Sequence, residues 1–245
     1  MIIIPARLAS TRFKNKILCD IDGLPMFLLT AKNASKADNV VVACDDENVM
    51  QIALIHGIKA VMTNINHQSG SDRINEACEI LGLKDDEIII NVQADEPFFE
   101  LENLLAFRDF AFDAIKNGAF MASCYKSIDF SSARDANIVK VVLDTNFNAL
   151  YFSRSIIPYV RDENEREKSE YLGHIGIYAY SVKSLREFCA FSDHGLENAE
   201  KLEQLRALSA GQKIAMLKIA TNSVGIDTKQ DYINAAKKYN FKARI

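Results

Sequence analysis

Apolar positions along this chain follow two rhythms that alternate. Short runs rich in β-branched residues at 2–4, 39–44 and 87–92 read as buried strands, and 59–62 reads as a further short strand. Between them, apolar residues recur at helical spacing over 26–36, 47–56, about 71–81 and 101–116. Residues 119–125 close the series as another strand. Pro5 is expected to stop the first strand, and Pro25 to open the first helix, because proline suits the first helical turn. Ser71 or Asp72 is expected to cap the helix that runs to Leu81. This alternation predicts a parallel, doubly wound sheet with right-handed crossovers.

After residue 125 the rhythm changes. Residues 138–143, 149–153 and 174–180 are strand-like with no helix expected between them, which predicts an antiparallel extension. Helices are expected at 182–190, 196–209 and 228–238, and a late strand at 213–219. No repeat, low-complexity tract or Pro/Gly/Ser linker interrupts the series.

Composition narrows the class. A chain that is 49% hydrophobic and 25% charged is an ordinary globular one with enough apolar material for a sizeable core. With 29 basic and 33 acidic side chains the net charge is −4, which disfavours a general nucleic-acid binder but leaves room for a local basic pocket. No apolar run approaches the ~20 residues that span a bilayer, and no secretory signal opens the chain. A cytoplasmic protein without a membrane partner is therefore expected. The five cysteines are scattered without metal-ligand spacing and read as small apolar residues.

The candidate chemistry lies at the expected carboxyl ends of strands, where open α/β sheets bind ligands. The first strand runs into a loop carrying Arg7, Arg12, Lys14 and Lys16, read either as a polyphosphate site or as a solvated basic loop. His67-Gln-Ser-Gly-Ser-Asp-Arg73 offers small residues and a helix start, which suit an anion. Gln93-Ala-Asp95-Glu96-Pro97 puts a carboxylate at a strand end, and Gly225-Ile-Asp227-Thr228 brings another after a later strand. One or two carboxylates plus substrate oxygens is the usual way to hold Mg²⁺. Neither G-x-x-x-x-G-K-[ST] nor G-x-G-x-x-G follows the first strand, so P-loop and ordinary dinucleotide folds lose support.

These pieces, taken in order, resemble the sugar-activating cytidylyltransferases, and among them the 3-deoxy-manno-octulosonate cytidylyltransferase (CMP-Kdo synthetase) family. The resemblance rests on Ile-Pro-Ala-Arg-x-x-Ser-x-Arg-x-x-x-Lys over 4–16, His67-Gln-Ser-Gly70 with Arg73, and Asn91-Val-Gln-x-Asp-Glu-Pro97. It continues through Asn137-x-Val-Lys-Val-Val142, Ala149-Leu-Tyr-Phe-Ser-Arg154 with Ile157-Pro158, His174-x-Gly-Ile-Tyr178, Leu202-Glu-Gln-Leu-Arg206 and Gly225-x-Asp-Thr228. It implies a Rossmann-like, nucleotide-diphospho-sugar-transferase-like α/β domain over 1–245. That domain has a mostly parallel central sheet, helices on both faces and a smaller antiparallel extension. Residues 1–125 would form a nucleotide-binding half, and 126–245 a sugar-binding and dimerisation half.

The resemblance also implies transfer of CMP from CTP to Kdo, release of pyrophosphate, a need for Mg²⁺ and a homodimer. Arg7, Arg12 and Lys16 would meet the triphosphate, with Ala6 and Ser10 in the same loop. Gln68, Ser69 and Arg73 would surround the cytidine, and Asp95 and Asp227 would be metal ligands. Lys16, Arg12 and Asp95 would be the catalytic groups. Gln93, Arg154, His174, Tyr178, Glu203 and Gln204 would line the Kdo site. Arg154 suits a sugar carboxylate, which it can grip with two parallel hydrogen bonds. Another acid sugar, a sialic acid or an 8-amino Kdo analogue, is the alternative acceptor. Three departures from the family pattern stand out: Asn15 and Ala94 where glycine is common, and Gly173 where a basic residue is.

Overall fold

The computed structural model describes residues 1–9, 13–192 and 195–244. The chain forms two compact units, Met1–Ala106 with Thr221–Ile245, and Phe107–Ala220. The first begins with β1 (Ile2–Ala6), a 3₁₀ turn (Lys16–Leu18), and a hairpin of β2 (Asp20–Ile21) and β3 (Leu24–Pro25). Then follow α1 (Met26–Ala34), β4 (Val40–Cys44), α2 (Glu47–Ile55), β5 (Lys59–Met62), α3 (Gly70–Ile80) and β6 (Ile88–Asn91). Helix α4 (Leu101–Lys116) leads on to the residues of the second unit.

β1 lies between β4 and β6, and β5 pairs outside β4; all these pairings are parallel. Ile2, Ile3 and Ile4 are fully buried, so the uninterrupted apolar run is that of a strand covered on both faces. The parallel register sets the carboxyl ends of β1, β4 and β6 at one edge, from which Arg7, Asp45 and Gln93 emerge. Pro5 does not stop the strand. Ile2 donates its N–H to Asn39 O, so by alternation the Pro5 nitrogen faces β6, where pairing has already ended at Ile3 and Asn91. A missing donor costs nothing there.

The β2–β3 hairpin escaped the hydrophobic rhythm because each strand is two residues long. Its turn, Asp22-Gly23, has φ of 51° and 85°, as a type I′ turn requires. Behind it lies an apolar cluster of Phe13, Ile21, Met26, Ile226, Tyr232 and Phe241. The last helix of the chain, α10 (Lys229–Tyr239), returns to the first unit and is fastened through this cluster to the opening loop. The Tyr232 hydroxyl adds a bond to Asp20 O. Burying a side chain such as Phe13 stabilises by roughly 1.5–3 kcal/mol.

In the second unit β7 (Met121–Ile128), α5 (Phe130–Ala133), β8 (Lys140–Leu143), β9 (Ala149–Ser153), α6 (Glu163–Arg166) and β10 (Tyr171–Ser181) come first. They are followed by α7 (Val182–Ala190), α8 (Gly195–Glu200), α9 (Leu205–Ser209) and β11 (Ile214–Lys218). β7 pairs parallel with β11 and antiparallel with β10. β8 pairs antiparallel with β10 and β9, which is the expected antiparallel extension. Gly173 in β10 has a packing reason: a Cβ there would meet Ile128 Cγ2 at 2.9 Å. The space that a basic side chain would need at this position is filled by isoleucine.

Two further expectations are corrected. Helix α6 does lie among these strands; it has no buried residue and is started by the Asp162 side chain, so it leaves no apolar period to read. The helix expected over 196–209 is two helices. Lys201 adopts φ 53°, and the Glu200 carbonyl, which a continuous helix would use internally, accepts instead from Arg154 Nε at 2.7 Å. Among the described residues no helix is long and apolar enough to cross a membrane.

Candidate active site

A cleft of about 950 Å³ opens at the carboxyl ends of β1, β4 and β6 in the first unit. Arg7, Lys16, Ser69, Arg73, Gln93 and Asp95 all line it. Arg7 is exposed, and Ala6 before it ends the strand fully buried. The amino end of α3 opens on the cleft, and its dipole favours an anion there. The cap is Ser69 rather than Ser71 or Asp72: Ser69 Oγ accepts from the Asp72 N–H at 3.1 Å and donates to its carboxylate at 2.8 Å. Gly70 follows, where a Cβ would stand 3.4 Å from the Pro5 ring, so the helix start lies close against β1. Gln68 is exposed and donates to Asn66 O at 2.8 Å.

The sharpest geometry is at Lys16. Its ammonium donates to Asp95 Oδ2 and, at 2.7 Å, to Asp227 Oδ1. Burial alone would lower the Lys16 pKa, but Asp95 and Asp227 outweigh it and hold it above its ordinary value. Three local arrangements bring these groups together. Asn15, directly before Lys16, adopts the left-handed conformation (φ 54°, ψ 30°). That explains why glycine suits this position, and asparagine tolerates it better than most residues. Ile226 donates its N–H to Asp95 O at 3.0 Å, which sets Asp227 beside Asp95. Thr228 then caps α10 through a reciprocal bond with Asp231.

The approach of the 221–227 segment is tied down further upstream. The Glu100 carboxylate accepts from Thr221 Oγ1 at 2.6 Å and Asn222 N–H at 3.0 Å. A Cβ on Gly225 would lie 2.6 Å from Glu96 Oε1, so a larger residue there would make the Glu96 carboxylate shift. Ala94 is buried and offers its carbonyl to Thr30 Oγ1 at 3.0 Å. Gln93 bonds Asn91 Oδ1 at 3.3 Å.

Arg73 is almost completely buried and donates to Asp45 Oδ2 at 2.8 Å and to Thr63 Oγ1. Asp45 Oδ1 also accepts from the Leu8 N–H at 3.0 Å. Arg73 therefore acts on the cleft as part of its wall, and through Asp45 it fixes where the opening loop leaves β1. Sequence reasoning missed Asp45 and Thr63. The signal for Asp45 was a carboxylate at the end of a central strand, the same signal that singled out Asp95.

The second unit gathers His174, Tyr178, Glu203 and Gln204. The His174 and Tyr178 rings lie 5.5 Å apart, and Tyr178 OH donates to Gln204 Oε1 at 3.2 Å. Burial, and then the charge of Glu203, push the Tyr178 pKa up, so it is a neutral donor. Ser123 Oγ lies 2.8 Å from Ile177 O and 2.9 Å from His174 Nε2. Its single proton goes to the carbonyl, so Nε2 donates to it and Nδ1 is left as an acceptor. Burial pushes the His174 pKa down from 6.5 to about 3. The stability this represents is complete above pH 6.5 and is lost as pH falls toward 3. His174→Gln should flatten the pH dependence of unfolding free energy between pH 6.5 and 4.5 by up to roughly 1.4 kcal/mol per pH unit. Urea titrations at several pH values measure this; parallel curves for the two proteins would refute it.

Arg154 is held by backbone carbonyls. Its guanidinium donates to Glu200 O at 2.7 Å, Ala136 O at 3.0 Å and Lys201 O at 3.5 Å. The Glu200 carboxylate accepts from the Ser153 hydroxyl and the Arg154 N–H. Lys140, fully buried in β8, donates to Asp135 O, Ile138 O and Arg154 O. Sequence reasoning also missed Lys140 and Glu200; a lysine within an apolar strand run gives no sign of its partners. Of the residues expected in the site, Ser10 and Arg12 lie outside the described residues.

The sequence profile of the cytidylyltransferase family matches residues 1–214. The chain is 54% identical over 238 residues to a 3-deoxy-manno-octulosonate cytidylyltransferase of Helicobacter pylori (strain ATCC 700392 / 26695), covering 97% of this chain and 96% of that one. It is 51% identical over 239 residues to the protein of the same name from Wolinella succinogenes, covering 97% and 98%. A solved structure of CMP:2-keto-3-deoxy-manno-octonic acid synthetase complexed with CTP superposes with a TM-score of 0.90 at 36% identity, covering 98% of this chain and 97% of that one.

Proposed function

The chain belongs to the cytidylyltransferase family, and from that premise we propose how its residues divide the work of the reaction. The reaction is transfer of CMP from CTP to 3-deoxy-D-manno-octulosonate (Kdo), with release of pyrophosphate. It activates Kdo for lipopolysaccharide synthesis. The observation that carries the site assignment is the Lys16 ammonium held by Asp95 and Asp227 on the wall of the cleft. A cation beside two hard oxygen donors at a strand-end cleft supports reading this as the triphosphate end of the site.

Asp95 and Asp227 fit a divalent metal. They already hold a positive charge between them, and both offer carboxylate oxygen, the donor that Mg²⁺ prefers. Among the described residues no group of three or more His, Cys, Asp and Glu side chains gathers to hold a metal, so nucleotide oxygens would complete the set. Mg²⁺ bound there would polarise the α-phosphate.

The chain's own residues do the rest. Arg7, Arg12 and Lys16 neutralise the triphosphate and stabilise charge on the leaving pyrophosphate. Ser69 and the amino end of α3, with Gln68 and the wall formed by Arg73, hold the nucleotide. In the second unit His174 Nδ1 accepts from a sugar hydroxyl, and Tyr178, Glu203 and Gln204 complete the set of donors and acceptors. Gln93 is assigned to the sugar on the resemblance alone. The anomeric hydroxyl oxygen bonds to the α-phosphorus and gives up its proton to solvent water, the bond from the α-phosphorus to the bridging oxygen breaks, and pyrophosphate keeps the electron pair. Positioning and charge stabilisation supply the rate. The enzyme works in the cytoplasm as a homodimer.

The test is pyrophosphate release with CTP, Mg²⁺ and Kdo, run beside UTP, ATP and a sialic acid. Turnover only with CTP and Kdo is expected; equal turnover with the sialic acid would overturn the acceptor assignment. Arg154 has its own test. To grip the Kdo carboxylate its terminal nitrogens must leave Ala136 O and Lys201 O, while Nε keeps Glu200 O. Arg154→Ala should then raise KM for Kdo about tenfold or more and change KM for CTP less than twofold. Equal losses for both substrates would make Arg154 solely a tie between the 136 and 200 loops.

A further inference from the structure

Lys16 holds the place that a divalent cation would take between Asp95 and Asp227. It belongs at the same time to the loop that meets the triphosphate. The two roles exclude each other in time, because one ammonium cannot lie between two carboxylates and also follow a phosphate. We propose that Lys16 is an internal counter-ion that reserves the metal site. While it bridges Asp95 and Asp227 the metal is kept out, and the triphosphate of an incoming nucleotide draws it away and opens the site. This inference rests on the reading of Asp95 and Asp227 as the metal pair.

Four observations support it. The bridge is made to both carboxylates, one at 2.7 Å and one shorter, so Lys16 engages the pair and not one member. Lys16 is 15% and Asp95 20% exposed, whereas Asp227 is 47% exposed, so the bridge is sheltered on one side and open on the other. The backbone bond from Ile226 to Asp95 keeps the carboxylates together whatever Lys16 does. Lysine also suits this role by its chemistry, since a point charge on a flexible stem can move between partners, which a planar guanidinium does less freely.

The consequence is positive coupling, which is reciprocal by necessity. If Lys16 occupies the pair in ~90–99% of nucleotide-free molecules, apparent metal affinity falls by about ten- to a hundredfold. Free metal then does not fill the site ahead of the nucleotide.

Titration of the nucleotide-free, full-length protein with Mn²⁺, following free ion by electron paramagnetic resonance, tests this. Lys16→Ala and Lys16→Met, the second keeping the stem, should each bind Mn²⁺ about tenfold more tightly than the unaltered protein. Lys14→Ala removes the same charge from an exposed position two residues away and should stay within twofold. Affinities for both Lys16 variants within twofold of the unaltered protein would overturn the proposal, as would an equal gain in Lys14→Ala. Asp227→Asn separates the two levels. Loss of Mn²⁺ binding in Asp227→Asn without any gain in the Lys16 variants would remove only the reservation. Mn²⁺ binding that survives in Lys16→Ala/Asp227→Asn would remove the metal pair itself, and the proposal with it.

Discussion

Asp95→Asn should lower kcat about a thousandfold while the protein stays folded, the upper range for losing one electrostatic contact at a reacting phosphate. The amide has nearly the shape of the carboxylate, and the backbone carbonyl that receives Ile226 N–H is untouched. What disappears is the charge that Lys16 meets in this structure and that the metal would meet in the working enzyme. Pyrophosphate release at saturating CTP and Kdo, beside circular dichroism and thermal melting, separates chemistry from folding. A loss under tenfold with an unchanged melt would take Asp95 out of the machinery.

The largest effect on stability should come from Arg73→Met. It leaves Asp45, whose side chain is only 3% exposed, without its cation. Removing one partner of a buried ion pair costs about 3–5 kcal/mol, because the remaining charge stays desolvated. The Leu8 N–H remains as a neutral donor to Asp45, which does not replace a guanidinium. Urea unfolding should show the loss, and Asp45→Asn/Arg73→Met should recover part of it. A cost below ~1 kcal/mol, well short of that range, would mean that the pair does not brace the cleft wall. CTP binding should weaken in the single variant too, since Asp45 sets the exit of the opening loop.

The parallel part of the fold was readable because its strands are buried on both faces. Ile2 to Ile4 and Val40 to Cys44 carry no polar interruption, and such runs have few other interpretations. Short elements were not readable by period. The β2–β3 strands are too brief for one, although Asp22-Gly23 is a strong hairpin sign by itself. The break at Lys201 was hidden for another reason: the cause is Arg154, which takes the carbonyl the helix would have kept. Helical spacing reports a segment's own face and not a distant competitor for its backbone.

The site divides the same way. Residue types at strand ends pointed to Arg7, Lys16, Asp95 and Asp227 singly. That Lys16 lies between the two carboxylates depends on Asn15 turning left-handed and on Ile226 docking against Asp95. Arg73 and Arg154 show the limit from the other direction. Both matched a family pattern, yet the structure commits Arg73 to Asp45 and Arg154 to three carbonyls. A motif names the residue and leaves its partners open.

Lys16 and Asp227 are separated by 211 positions, and the segment carrying Asp227 belongs to the unit that the chain starts and leaves long before it ends. As the ribosome makes this protein, the strands that border the cleft are complete by residue 91. The second carboxylate emerges only after all of the second unit has been translated. On the roles proposed above, a nascent or truncated chain would carry the opening loop and only one of the two carboxylates, and would not turn over CTP. Catalytic competence comes last, so CTP turnover during synthesis is a clock for the arrival of the final helix.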